Sequence, residues 1–173
     1  INSFKSNAKL GKGEWAILEA DESDGSFLKL PINYSIVTNI DIEHLDYYKS
    51  YKNLEKSFIE FINKTPPTGK SIICIDNNNI RKIMKKIKNK NIITYGENKL
   101  ANYRISKIRY NFESTNFDLS FKDKNKKIRI IRNINVKLLG KHNVLNAAAA
   151  LTVCIDLGVS QNVVKKSLKN FTG

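Results

Sequence analysis

Two clusters of carboxylates are where chemistry could start in this sequence. Glu19, Asp21, Glu22 and Asp24 form the first, and Asp41, Glu43, His44 and Asp46 form the second. Each follows a short apolar run: Glu14-Trp15-Ala16-Ile17-Leu18 before the first, Tyr34-Ser35-Ile36-Val37-Thr38-Asn39 before the second. If both runs are strands of one parallel sheet, both clusters leave it at the carboxyl edge, where open α/β sheets hold their ligands. Carboxylates with one imidazole suit Mg²⁺, which takes one or two protein oxygens and keeps waters or substrate phosphates. The same residues read equally well as solvated loops whose Asp and Ser side chains cap their neighbours. A third group, Gly140-Lys141-His142-Asn143-Val144-Leu145-Asn146, opens an alanine-rich stretch. A lysine and helix-start N–H groups could face a phosphate there, and two Asn amides could read a base edge. An ordinary Asn cap above a small-residue packing face explains that pattern too.

Thr68-Gly69-Lys70-Ser71 imitates the end of a G-x-x-x-x-G-K-[ST] phosphate loop, but Lys64 occupies the place of its first glycine. Such a loop also follows a strand and opens a helix. Here a helical pattern precedes and a strand pattern follows, so the segment reads as a turn. Cys74 and Cys154 lie far apart in apolar runs, and with two His in the whole chain there is no zinc spacing. They read as buried thiols of a reducing cytoplasm.

The elements that must position these groups follow from periodicity. The two runs before the acidic clusters, Ser71-Ile72-Ile73-Cys74-Ile75, and Asn91-Ile92-Ile93-Thr94-Tyr95 are continuous apolar stretches, as expected of strands covered on both faces. Leu54, Phe58, Phe61 and Ile62 fall at helical spacing between Tyr51 and Asn63, and Ile80, Ile83, Met84 and Ile87 mark a second helix. After Gly96 the period changes. Tyr103 to Tyr110, Ser114 to Phe121 and Lys127 to Leu138 alternate loosely, as an antiparallel meander does. Asn143 to Leu157 is a helix ended by Gly158, and Ser160 caps a last helix carrying Val163, Val164 and Leu168. The predicted class is α/β: a mainly parallel, doubly wound sheet flanked by helices, with a smaller antiparallel three-stranded layer. Residues 1–173 read as a single domain.

Thirty Lys and Arg against 16 Asp and Glu leave a net charge of +14. Lysine supplies most of the positive charge and is scattered, and Lys, Asn and Ile are abundant together, as A/T-rich codons make them. Phosphate and base readout favour Arg. A basic nucleic-acid-binding module is therefore the weaker alternative. No run of 18 apolar residues exists to span a membrane, and no secretory leader pattern opens the chain. With no initiator Met, it reads as a piece of something longer.

Three tracts occur in order: Glu19-Ala20-Asp21-Glu22-Ser23-Asp24-Gly25-Ser26-Phe27-Leu28, then Val37-Thr38-Asn39-Ile40-Asp41-Ile42-Glu43-His44-Leu45-Asp46, then Gly140-Lys141-His142-Asn143-Val144-Leu145-Asn146-Ala147-Ala148-Ala149. Together they resemble the central domain of the Mur ligases, in the branch that adds L-alanine, over essentially the whole chain. The first tract is specific to that branch; the third is shared across the superfamily. The resemblance implies a cytoplasmic, ATP-dependent C–N ligase of peptidoglycan synthesis, acting on UDP-N-acetylmuramate and L-alanine. In the family the γ-phosphate of ATP passes to the substrate carboxylate, and the amine then displaces phosphate from the acyl phosphate. It further implies ATP and Mg²⁺ as cofactors, Glu19 and His44 as metal ligands, and Asn143, with His142 and Asn146 near it, on the adenine side of ATP. Two departures stand out: Phe58 lies where several sister ligases carry a carbamylated lysine, and Glu43 stands where Asp is commoner. The family's phosphate-binding loop does not occur within these residues, nor do its uridine-binding and amino-acid-binding domains, so the chain by itself is expected to be inactive.

Overall fold

Six runs rich in β-branched and aromatic residues pair into one sheet, as such side chains favour a pleated, covered surface. In the computed structural model, which describes residues 8–172, they are β1 (Tyr34–Val37), β2 (Lys70–Cys74), β3 (Ile92–Gly96), β4 (Tyr103–Tyr110), β5 (Thr115–Lys122) and β6 (Ile128–Val136). The strands lie side by side in chain order. β1 through β4 are parallel, and β4, β5 and β6 are antiparallel. The predicted class holds, with one change of detail: the antiparallel strands extend the same sheet instead of forming a layer of their own. Tyr95 and Gly96 pair in parallel with Tyr103 and Arg104, so β4 is fused to the parallel half.

The helices are α1 (Leu45–Tyr48), α2 (Tyr51–Asn63), α3 (Asn78–Ile83), α4 (Lys141–Asp156) and α5 (Gln161–Asn170). α4 packs across one face from β2 to β6, with Val144, Ala148 and Leu151 fully buried. On that face Tyr34 donates to Asp156 at 2.8 Å and Lys70 pairs with the same carboxylate at 2.5 Å, which ties β1 and β2 to the end of α4. On the opposite face the hydroxyls of Ser35, Ser71 and Thr65 bond one another at 2.9–3.1 Å just beyond α2, so these buried polar atoms are satisfied. Ile72, Ile73, Ile80 and Ile83 are wholly buried, each contributing about 1.5–3 kcal/mol of burial. α1 and a 3-10 turn at Ser26–Lys29 were not legible in the periodicity, being too short to show it.

One predicted strand does not form. Glu14-Trp15-Ala16-Ile17-Leu18 has no strand conformation, and Ile17 is 95% exposed. Trp15 leans edge-on against Tyr34, at 5.6 Å between centroids. An apolar run becomes a strand when a neighbour takes its N–H and C=O groups. Among the described residues none pairs with this run, and the free edge of β1 leaves Ile36 43% exposed.

Candidate functional site

The first acidic loop is shaped by its own side chains. Asp21 accepts from the backbone N–H of Ser23, and Asp24 from that of Ser26, both at 2.8 Å. Both carboxyls are held below the ordinary Asp value, Asp21 chiefly by the Ser23 backbone N–H and Asp24 chiefly by the Ser26 side chain and then its backbone N–H. Two of the four carboxylates are thus loop caps. The loop is then pinned twice. Phe27, 2% exposed, packs on Phe58 and Phe61 of α2, with ring centroids 5.5 and 4.9 Å away. The buried hydroxyl of Tyr48 donates to the carbonyl of Glu22, and burial, first among the causes, pushes that phenol up to about 12.

The second loop brings His44 to meet it. His44 precedes α1 in the left-handed region, with φ 54°, a conformation few non-glycine residues adopt. Its Nε2 lies 3.8 Å from Glu22 Oε1 and 3.9 Å from Glu43 Oε2. A small cavity of about 30 Å³ opens here between Glu22, Asp41, Glu43, His44 and Phe58. Glu19, at the head of the first cluster, is exposed, and its carboxylate enters no ion pair among the described residues. No three His, Cys, Asp or Glu side chains among those residues close a metal cage. The donors nevertheless fit an open Mg²⁺ site, since Mg²⁺ takes one or two protein oxygens and leaves the rest of its shell to water and phosphate.

A larger cavity of about 390 Å³ adjoins it at the carboxyl ends of β1 and β2, within the usual size of a small-molecule site. Its walls are Asn39 and Asp41 after β1, Cys74 and Asp76 at the end of β2, and His142 and Asn146 on the first turns of α4. Asn143, between them, turns its amide to donate to the Leu139 carbonyl at 2.8 Å. Asn39 and Asp41 line both cavities and form their shared wall. That wall is braced internally: Thr38 donates to Asn39, and Asn39 to Asp41, at 2.8 and 2.7 Å. Burial pushes the Cys74 thiol up, as befits an inert wall residue. The sequence tracts thus meet around two abutting cavities, with His142 and Asn146 at one and His44 at the other, whereas Asn143 and Glu19 line neither. Sequence reasoning passed over Asp76. It follows β2 as the acidic clusters follow their runs, and that position was its one available signal.

The profile of the Mur ligase middle domain matches residues 2–154. The chain belongs to the Mur ligase middle-domain family. It is similar to the UDP-N-acetylmuramate–L-alanine ligase of Pelagibacter ubique, 50% identical over 173 residues, and to that of Rhodopseudomonas palustris, 41% identical over 174. Each match covers the whole of this chain and 37% of the relative, so the chain spans little more than a third of their length. Its fold is that of solved Mur ligases. The UDP-N-acetylmuramate–alanine ligase MurC of Thermotoga maritima superposes with a TM-score of 0.70 at 22% identity, over 89% of this chain and 32% of that one. The MurF ligase of Thermotoga maritima in complex with ADP gives 0.62 at 16% identity, over 83% and 31%.

Proposed function

We propose that this chain is the nucleotide- and metal-binding part of a cytoplasmic ATP-dependent ligase that joins L-alanine to UDP-N-acetylmuramate in peptidoglycan synthesis. The observation that carries this reading is the shared wall of Asn39 and Asp41 between the two cavities. It puts space for a nucleotide under the first turns of α4 directly beside His44 and its carboxylates. The names of the Pelagibacter and Rhodopseudomonas relatives supply the substrates. No helix among the described residues is long and apolar enough to cross a membrane.

On this reading His142, Asn143 and Asn146 hold the adenine side, and Glu19 and His44 hold Mg²⁺. Bound Mg²⁺–ATP supplies the phosphoryl group that activates the muramate carboxylate, and the cation offsets the charge that builds on the phosphates. The chain's own part is to sort charge. Asp41, fixed by Asn39, presents negative charge at the passage between the cavities, and Glu22 and Glu43 add to it around His44. A phosphate chain would be repelled there unless a cation lay between, so this wall admits the nucleotide with its metal and disfavours it without. Phe58, packed on Phe27, closes the apolar side of the smaller cavity.

The test uses the full-length protein with ATP, UDP-N-acetylmuramate and L-alanine, following ADP and the amide product by mass spectrometry. Equal amounts of both are expected, no amide when any one substrate is omitted, no ADP without UDP-N-acetylmuramate, and about one ADP per enzyme from the first half-reaction when only L-alanine is omitted. ADP formed without UDP-N-acetylmuramate, or no amide product at all, would refute the reading.

A further inference from the structure

The start of α4, where the proposed nucleotide contacts sit, is tied to the rest of the sheet by residues outside the three sequence tracts. Asp76 lies just past β2 and reaches to the turn that follows β3. Its Oδ2 accepts from the N–H of Glu97 at 2.8 Å, and its Oδ1 from the N–H of Asn98 at 2.9 Å. Gly96 makes this approach possible. Its φ is +144°, and a Cβ there would overlap the Asp76 carboxylate, so a side chain at this position would push Asp76 off the turn. Glu97 then pairs with Nζ of Lys141, the first residue of α4. Asp76 and Lys141 both border the larger cavity together with His142 and Asn146. One connected path therefore runs from the end of β2, through the turn after β3, to the rim of the cavity.

We infer that Asp76 and Glu97 are positioning residues for the nucleotide cavity: Asp76 fixes the turn after β3, and Glu97 in that turn fixes the first residue of α4. The inference rests on the reading of this cavity as the ATP site. Both oxygens of Asp76 accept backbone N–H bonds, so the turn fixes where the carboxylate lies. The same pairing raises the Lys141 ammonium above its ordinary value, the hydrogen bond to Glu97 being the chief cause. The two links differ in strength. A carboxylate holding two backbone N–H groups is a strong tie, whereas Glu97 and Lys141 are 40% and 55% exposed and screened by water.

The experiment measures KM for ATP, L-alanine and UDP-N-acetylmuramate, with kcat and the thermal midpoint, in the full-length protein. Asp76→Asn sets an amide N–H₂ against a backbone N–H, and Gly96→Ala displaces Asp76 without touching it chemically. Each is expected to raise KM for ATP at least about threefold, and the two by similar factors, with the other KM values and kcat at saturating ATP nearly unchanged. Glu97→Lys and Lys141→Glu should each give a smaller rise, below about fivefold, and the double exchange should recover most of it. Asn146→Ala, at a residue that lines the cavity, is the control on the site itself. If Asn146→Ala raises KM for ATP and the positioning variants do not, the inference is wrong and the ATP site stands. If Asn146→Ala also leaves KM for ATP unchanged, the ATP reading fails. Variants that lower the thermal midpoint with normal KM values, or raise every KM alike, show a purely structural role and overturn the inference. Should Asp76→Asn or Gly96→Ala not fold, the exposed Glu97–Lys141 pair and its exchange decide the matter.

Discussion

His44 carries a conformational cost that its neighbours must hold in place. A left-handed backbone at a non-glycine residue is disfavoured by about 1–2 kcal/mol, yet here it turns the imidazole toward Glu22 and Glu43. Asn tolerates that backbone well, so His44→Asn removes the imidazole without adding strain. In the full-length protein we expect His44→Asn to leave the thermal midpoint nearly unchanged and to raise the Mg²⁺ concentration for half-maximal activity at least about tenfold, the upper effect of losing a mere supporting group being about a hundredfold. An unaltered Mg²⁺ dependence would remove His44 from the metal site. The tyrosines give a second test. Burial is the leading cause that pushes Tyr34, Tyr48 and Tyr103 up to about 12, and it raises Tyr95 further still. An unfolded Tyr titrates near about 10. A raised folded value means that the native state keeps its protons longer, so this stabilisation is complete below about pH 10 and is lost as pH rises toward about 12. With the two exposed tyrosines removed as Tyr47→Phe and Tyr110→Phe, tyrosinate absorbance and loss of structure should therefore rise together in that window. Tyrosinate appearing at its ordinary pH while the fold stays intact would contradict the burial.

At the scale of elements, the sequence was most legible where period and length agreed. Tyr51 to Asn63 shows helical spacing over more than three turns, and α2 spans those residues. Its start is set by Ser50, whose side chain accepts from the Asn53 N–H at 3.3 Å. We expect Ser50→Ala to cost about 1 kcal/mol, read as a lower denaturation midpoint with an unchanged slope; no shift would mean that the cap is idle. The alternating strands β4 to β6 were equally plain. Glu14 to Leu18 was not, because an apolar run reports the wish to be covered and not the presence of a partner strand. Nor could any local pattern show that β4 would pair in parallel with β3, since this depends on where Ala101 and Asn102 deliver the chain. Asn102 does so by accepting from both the N–H and the hydroxyl of Thr94. The site was legible to a similar degree. His44, His142 and Asn146 could be placed at one sheet edge from their positions after or before predicted elements. Asp76 and Glu97 act through contacts across strand ends, which leave no spacing to read.

At the scale of the molecule, two abutting cavities lie at one sheet edge, and on the proposed reading they are half of a catalytic centre. The G-x-x-x-x-G-K-[ST] loop that would cradle the β- and γ-phosphates does not occur in these 173 residues, and that cradle supplies much of phosphoryl-transfer catalysis. We expect the 173-residue chain to release no phosphate from ATP above a protein-free control; release that Glu19→Ala abolishes would show the cradle to be dispensable. The central claim, that nucleotide and metal meet across the wall of Asn39 and Asp41, is tested most directly by a crystal structure of the full-length protein with Mg²⁺ and a non-hydrolysable ATP analogue. The predicted result has the purine against His142, Asn143 and Asn146, the phosphates passing Asp41, and the ion, at about 2.0–2.1 Å from its ligands, on the His44 side with Glu19 drawn in. A nucleotide bound away from α4, or an ion bound away from His44, would contradict the account.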